Sequence, residues 1–229
     1  MAGFRGWPGL LLLAGLAGCA GAASPGADVS ARLRVAAVAE ASGQSEIAVS
    51  VLSSLAASAP DNTEVQARFA RSLIQAGNLA EAEAVLMRTL RARPGDARAL
   101  RELGRMRLLE GRAAEALDAF RTVLAAAPRD VPSLVGSGVA LDLLGREEAK
   151  ASYAAALALE PGNLAAANNL ALSLLLADRP AEAVALLGPL ARRHDAPERV
   201  RNNLAVAEAA TAGASGVALR GSSGSTSLR

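Results

Sequence analysis

The sequence predicts an all-α solenoid of about five helix-turn-helix units closed by a C-terminal capping helix. Prolines stand at Pro60, Pro94, Pro128 and Pro161, a regular spacing of about 34 residues whose last step is one shorter. The same order of small and large apolar residues precedes each of them. Composition agrees: 52% of the residues are hydrophobic, mostly alanine and leucine, while only 2% are aromatic. Such a chain has helix formers in plenty. A period of this length means that one unit cannot hide its apolar face alone and does so by stacking on its neighbours.

Each element of the unit has a physical reason. The first helix carries a small residue (Ala36, Ala70, Gly104, Gly138, Ala171, Ala205) next to a mostly bulky one (Val35, Phe69, Leu103, Ser137, Leu170, Leu204). A bump beside a hole is what close helix packing requires. Seven residues on stands a turn residue, Gly43, Gly77, Gly111, Gly145 or Asp178, at the place where a left-handed conformation ends a helix. The second helix brings Ala48, Ala82, Ala116, Ala149 or Ala183, followed four residues later by Leu52, Leu86, Phe120, Tyr153 or Leu187. That spacing puts both on one face. Proline then stops the helix, and two residues later Asn62, Asp96, Asp130 or Asn163 is suited to cap the next one. Between Gly145 and Ala149 the chain is one residue shorter than between Gly111 and Ala116, so a tightened turn is expected there.

This pattern resembles the tetratricopeptide family over 29–212, with five paired units and a final unpaired helix from about Pro197. The resemblance implies a right-handed superhelix that binds protein partners. Two places depart from it: Arg107 stands where a large buried residue is usual, and the first unit, at Arg32 and Ala39, matches weakly.

Residues 1–18 read as an export signal, with one charge at Arg5, an apolar run from Leu10 to Ala17 and small residues after it. The run is shorter than the roughly 20 residues a membrane span needs. Leu16-Ala17-Gly18-Cys19 resembles the lipobox of bacterial lipoproteins, which implies cleavage before Cys19 and lipidation of that residue, the single cysteine of the chain. More than one acyl chain there would anchor the protein stably. In that family Ala20, rather than Asp, implies sorting to the outer membrane, facing the periplasm. Residues 19–28 then form a short tether, and 213–229, rich in Gly, Ser and Thr, are expected to be disordered. Removing 1–18 takes away only Arg5 and lowers the formal charge from +2 to +1.

The resemblance places the first helix of each unit on the concave side, which makes its exposed positions the candidates for peptide binding. Arg98, Arg101 and Arg105, with Arg71 from the preceding unit, would form a basic stripe able to engage carboxylates. Alternatively they are a solvated face, with Glu102 paired to Arg98 or Arg105 at helical spacing. Asn168-Asn169-Leu170-Ala171 recurs one repeat later as Asn202-Asn203-Leu204-Ala205. Asparagines on adjacent helices offer a donor and an acceptor to a peptide backbone, with Asn169 and Asn203 in matching places, or they bond to one another. Val135, Val139 and Leu172, with Leu175 and Leu176, fall at or near groove-facing positions and are candidates to cradle an apolar helix or strand.

Catalytic signals are weak. His194, the only histidine, lies near a helix end among Arg192, Arg193 and Asp195, and no zinc cluster can be built from one histidine and one lipidated cysteine. There is no phosphate-cradling glycine loop, no serine elbow and no interleaving of basic with aromatic residues for nucleic acid. Neither a catalytic residue, a metal, a cofactor nor a small-molecule substrate is expected.

A narrower resemblance covers about Leu164 to Ala212, where Asn168 to Leu174, Ala181-Glu182-Ala183, Leu187 to Arg193 and Arg199 to Ala205 follow in order. That order looks like the TadD family, tetratricopeptide lipoproteins of Flp/Tad (tight-adherence) pilus assembly. It implies a scaffold partnered by the outer-membrane secretin or another component of the pilus machine. Adaptors that present peptidoglycan-remodelling enzymes to the cell wall are the alternative.

Overall fold

The computed structural model describes the backbone of residues 25–223 and the side chains of 28–213. These residues form eleven helices and no strand: α1 Pro25–Ala41, α2 Ser45–Ser58, α3 Thr63–Gln75, α4 Leu79–Ala92, α5 Ala97–Leu109, α6 Ala113–Ala126, α7 Val131–Leu143, α8 Ala149–Leu159, α9 Leu164–Leu176, α10 Pro180–Ala191 and α11 Glu198–Ser223. Residues 1–18, the predicted lipidation site Cys19 and most of the predicted tether lie outside the described residues.

Helix ends follow the chemistry of their sequence. Asn62, Asp96, Asp130 and Asn163 are the N-caps of α3, α5, α7 and α9, each accepting a hydrogen bond from the backbone N–H three residues on. Gly43, Gly77, Gly111 and Gly145 turn the chain with φ between 67 and 81°, and Asp178 does the same at φ 56°. The short turn after Gly145 is tightened as the missing residue demands. Ala149 and Lys150 donate to carbonyls only three residues back, at Arg146 and Glu147, and α8 has 11 residues where α4 and α6 have 14.

Packing is local, as an array requires. Each helix touches the next in sequence, and the odd-numbered helices from α3 onward also touch one another, α3 to α5, α5 to α7, α7 to α9 and α9 to α11. Consecutive even-numbered helices share no comparable contact. The odd helices therefore form one inner row, and the even helices splay on the outside. At the first unit the inner row is held by charge, Arg68 of α3 to Glu40 of α1 at 3.1 Å, and Arg32 of α1 donates to Ser54 of α2 at 2.7 Å.

The core runs along the seam between the rows. Ala48, Ala82, Ala116, Ala149 and Ala183 of the outer helices are fully buried, and so are Leu52, Leu86 and Leu187 four residues on. Phe120 and Tyr153 take the leucine position in α6 and α8, and the inner row makes room for their rings. A Cβ on Gly104 would stand 2.7 Å from the tip of Phe120, one on Gly136 would be closer still, and one on Gly138 would collide with Tyr153. Burying side chains of this size stabilises by about 1.5–3 kcal/mol each.

Two elements depart from the sequence-based reading. Ala205, at the small position of α11, is exposed although Ala36, Ala70 and Ala171 are fully buried, and among the described residues no second helix covers it. Helical backbone also continues in α11 to Ser223, past the boundary at 212 and into the stretch expected to be disordered, with helix formers Ala209, Ala210 and Ala212 leading into it and no proline to interrupt it.

Candidate functional site

The inner row carries the side chains in question, and its first half is built from charge. Glu102 of α5 is only 1% exposed, yet it stands among arginines. Arg71 of α3 donates to its Oε1 from Nε at 2.9 Å, and Arg105 approaches Oε2 at 3.7 Å. The hydrogen bond to Glu102 raises the Arg71 pKa against the cost of partial burial. Arg101 donates to Asp130 at 2.6 Å. Three of the four arginines expected to form an open basic stripe are thus engaged by the protein's own carboxylates. The main partner of Glu102 is Arg71 on the neighbouring inner helix rather than Arg98 or Arg105. Arg98 is exposed and, among the described residues, makes no ion pair or side-chain hydrogen bond. With Glu40, Glu64, Arg68 and Arg71 it lines a cleft of about 270 Å³ between α1, α3 and α5.

The second half is amide and apolar. Asn203 of α11 donates from Nδ2 to Oδ1 of the buried Asn168 of α9 at 2.7 Å. The amide that Asn203 would offer to a peptide is in part spent, and the bonded pair is Asn168 with Asn203. Asn169 is half-buried and Asn202 exposed, and neither makes a side-chain hydrogen bond among the described residues. Val135 serves the interior, packing against both the Phe120 cluster and the cluster of Val131, Ala156 and Ala166. Val139 is half-buried, and Leu172 is 41% exposed.

Two apolar residues that sequence reasoning passed over, Leu143 and Val206, complete this surface together with Leu176, which it had named. Leu143, the last residue of α7, is 60% exposed, Leu176, the last of α9, is 85% exposed, and Val206 of α11 is 57% exposed. Their signal was present: Val206 stands at the same repeat position as Leu172, one unit on, and Leu143 stands one unit before Leu176.

Two further clusters hold the units together. Asp142 of α7 accepts from Tyr153 of α8 at 2.8 Å and from Ser173 of α9 at 2.9 Å. Burial, reinforced by the hydrogen bond to Asp142, pushes the Tyr153 phenol well above its ordinary range, so it stays a neutral donor. Arg107 is buried and meets Glu83 of α4, Glu110 at 2.7 Å and Glu115 of α6 at 3.4 Å. A charge at this repeat position is tolerated because three carboxylates surround it. Its hydrogen bond holds the Glu110 carboxyl below the usual range, against partial burial.

His194 is exposed in the turn between α10 and α11. Among the described residues no group of three His, Cys, Asp or Glu side chains is placed to hold a metal ion. Among them too, no helix is long and apolar enough to cross a membrane.

Comparison with known proteins places this geometry. Residues 23–104 match the model of the tetratricopeptide repeat. Among solved structures, a thermophilic TPR protein of Thermus thermophilus superposes with a TM-score of 0.70 at 21% identity, covering 78% of this chain and 98% of its own. MamA of Desulfovibrio magneticus RS-1, from residue 41 to its end, superposes with a TM-score of 0.56 at 21% identity, covering 70% of this chain and 92% of its own. No curated protein matches the sequence. The chain has the fold of a tetratricopeptide solenoid.

Proposed function

We propose that this protein is a lipid-anchored docking scaffold of the bacterial outer membrane, facing the periplasm, that receives the secretin or another component during Flp/Tad pilus assembly. The observation that supports it best is the inner row itself. Successive inner helices present exposed side chains at one equivalent position, Arg71, Arg105, Leu172 and Val206, more than the fold needs for its own packing. Regular spacing of this sort suits a long polypeptide segment. The lipobox at Leu16 to Cys19 supports the anchor, and the order of residues from Asn168 to Ala205 supports the pilus assignment.

The test is crosslinking and recovery of the full chain from the periplasm of cells that make the pilus. Enrichment of a pilus component supports the reading. Recovery of wall hydrolases without any pilus component would replace it with an adaptor for peptidoglycan-remodelling enzymes. Labelling with palmitate that persists in Cys19→Ala would remove the anchor.

A further inference from the structure

One repeat position, read across the inner row, changes its chemistry along the array. It holds Arg71 in α3, Arg105 in α5, Val139 in α7, Leu172 in α9 and Val206 in α11, each one unit after the last. These five helices touch one another in that order, so the five residues form a continuous line. Arg105, Leu172 and Val206 on it are exposed, and Val139 is half-buried. One helical turn further along α7 and α9 stand Leu143 and Leu176, both exposed. At the other end, two turns before Arg105 on the same face of α5, Arg98 has no partner among the described residues.

We infer that this line is the seat of an amphipathic helix of a partner polypeptide, apolar where it crosses α7, α9 and α11 and acidic where it reaches α5. The inference rests on the scaffold reading and adds the partner's form and orientation. Packed helices lie about 8–10 Å apart. On the partner, residues seven apart are two turns or about 10.5 Å apart on one face, which matches that step. A strand matches it poorly, because residues three apart point to opposite faces. Leu143 and Leu176 flank Val139 and Leu172, so a leucine of the partner entering between the two columns meets an apolar side chain on both sides. Arg98, lacking an internal carboxylate, and Arg105, half-exposed and holding Glu102 only at 3.7 Å, keep donors for an incoming carboxylate. The gradient from charge to hydrocarbon fixes which way round the partner lies, since reversal would set its acids on leucines.

The experiment uses the purified full chain and three fluorescent peptides of about 22 residues, a length that spans four inner helices. The first has leucines at heptad spacing and two glutamates beyond the last; the second has lysines in place of the glutamates; the third has serines in place of the leucines. Anisotropy titration is expected to show the first binding roughly tenfold or more tighter than either of the others. Leu172→Ser with Leu176→Ser should weaken the first peptide by a similar factor, with helicity by circular dichroism unchanged. Arg98→Glu should weaken the first peptide and strengthen the second. Equal binding of the glutamate and lysine peptides, or indifference to the leucine substitutions, overturns the inference. If no peptide binds while the full chain still captures its partner from the periplasm, the helix seat is wrong and the scaffold reading stands. Loss of that capture from the unaltered chain is what would remove the scaffold reading itself.

Discussion

Asp130 is held by Arg101 through one carboxylate oxygen, Oδ2 at 2.6 Å, while its other oxygen accepts from the backbone N–H of Ser133 at 2.9 Å and caps α7. A residue that the repeat supplies for helix capping thereby also ties α5 to α7. The two roles separate by substitution. Asp130→Asn keeps an acceptor for the cap and loses the ion pair, costing under about 1 kcal/mol. Asp130→Ala loses both and is expected to cost about 1–2 kcal/mol. Midpoints of urea denaturation for the two variants check the difference; identical midpoints would show that the cap contributes nothing.

Phe120 occupies space that Gly104 and Gly136 leave open. Gly104→Leu is expected to cost on the order of 1–3 kcal/mol, because the ring is confined by α5 and α7 together. Adding Phe120→Leu should recover part of that loss, so the two changes are non-additive. Strict additivity in thermal denaturation would show that the glycine and the ring do not share one space.

Asp178 does with a side chain what glycine does in the other turns, at φ 56°. Asp178→Gly is expected to stabilise by about 0.5–1 kcal/mol, and Gly111→Asp to destabilise by a similar amount. A lower melting temperature for Asp178→Gly would mean that the aspartate compensates its backbone strain by some other contact.

Arg107 gives the array an acid sensitivity. Its hydrogen bond lowers the Glu110 pKa below the ordinary 4.5, so folding favours the ionised carboxylate. The resulting stabilisation is complete above that ordinary value and is lost as pH falls through the folded-state value. In Arg107→Met a hydrophobe fills the buried site while Glu83 and Glu115, both more than a third exposed, stay solvated. Stability near pH 7 should fall, because Glu110, only 21% exposed, is left with Arg112 alone as its partner. Between pH 5 and about 3 the variant should lose less melting temperature than the parent. Parallel profiles would separate Glu110 from acid unfolding.

Much of this architecture was legible because it depends on short-range chemistry. The caps Asn62 and Asp130, the turn at Asp178 and the alanine-to-leucine pairs of the outer helices each follow from neighbours within a few residues. The tightened turn after Gly145 followed from counting. The partners across the inner row were not legible in the same way. Glu102 lies one helical turn from both Arg98 and Arg105, yet it bonds Arg71 on another helix, because burial at the α3 to α5 contact leaves it no solvent and demands a close donor. Asn203 bonds Asn168 rather than its repeat equivalent Asn169. Repeat spacing identifies equivalent positions but not the offset between adjacent helices. Exposure of Leu143 and Leu176 depends equally on which side of a helix end the next hairpin leaves open.

Ala205 has a practical consequence. Its methyl group offers the same foothold that Ala171 gives α10, so α11 presents a seam that is shaped for continuation. A hairpin copied from α9 and α10, grafted in register from Glu198, would find its first joint already made, and the protein could be lengthened one module at a time without redesigning what precedes it.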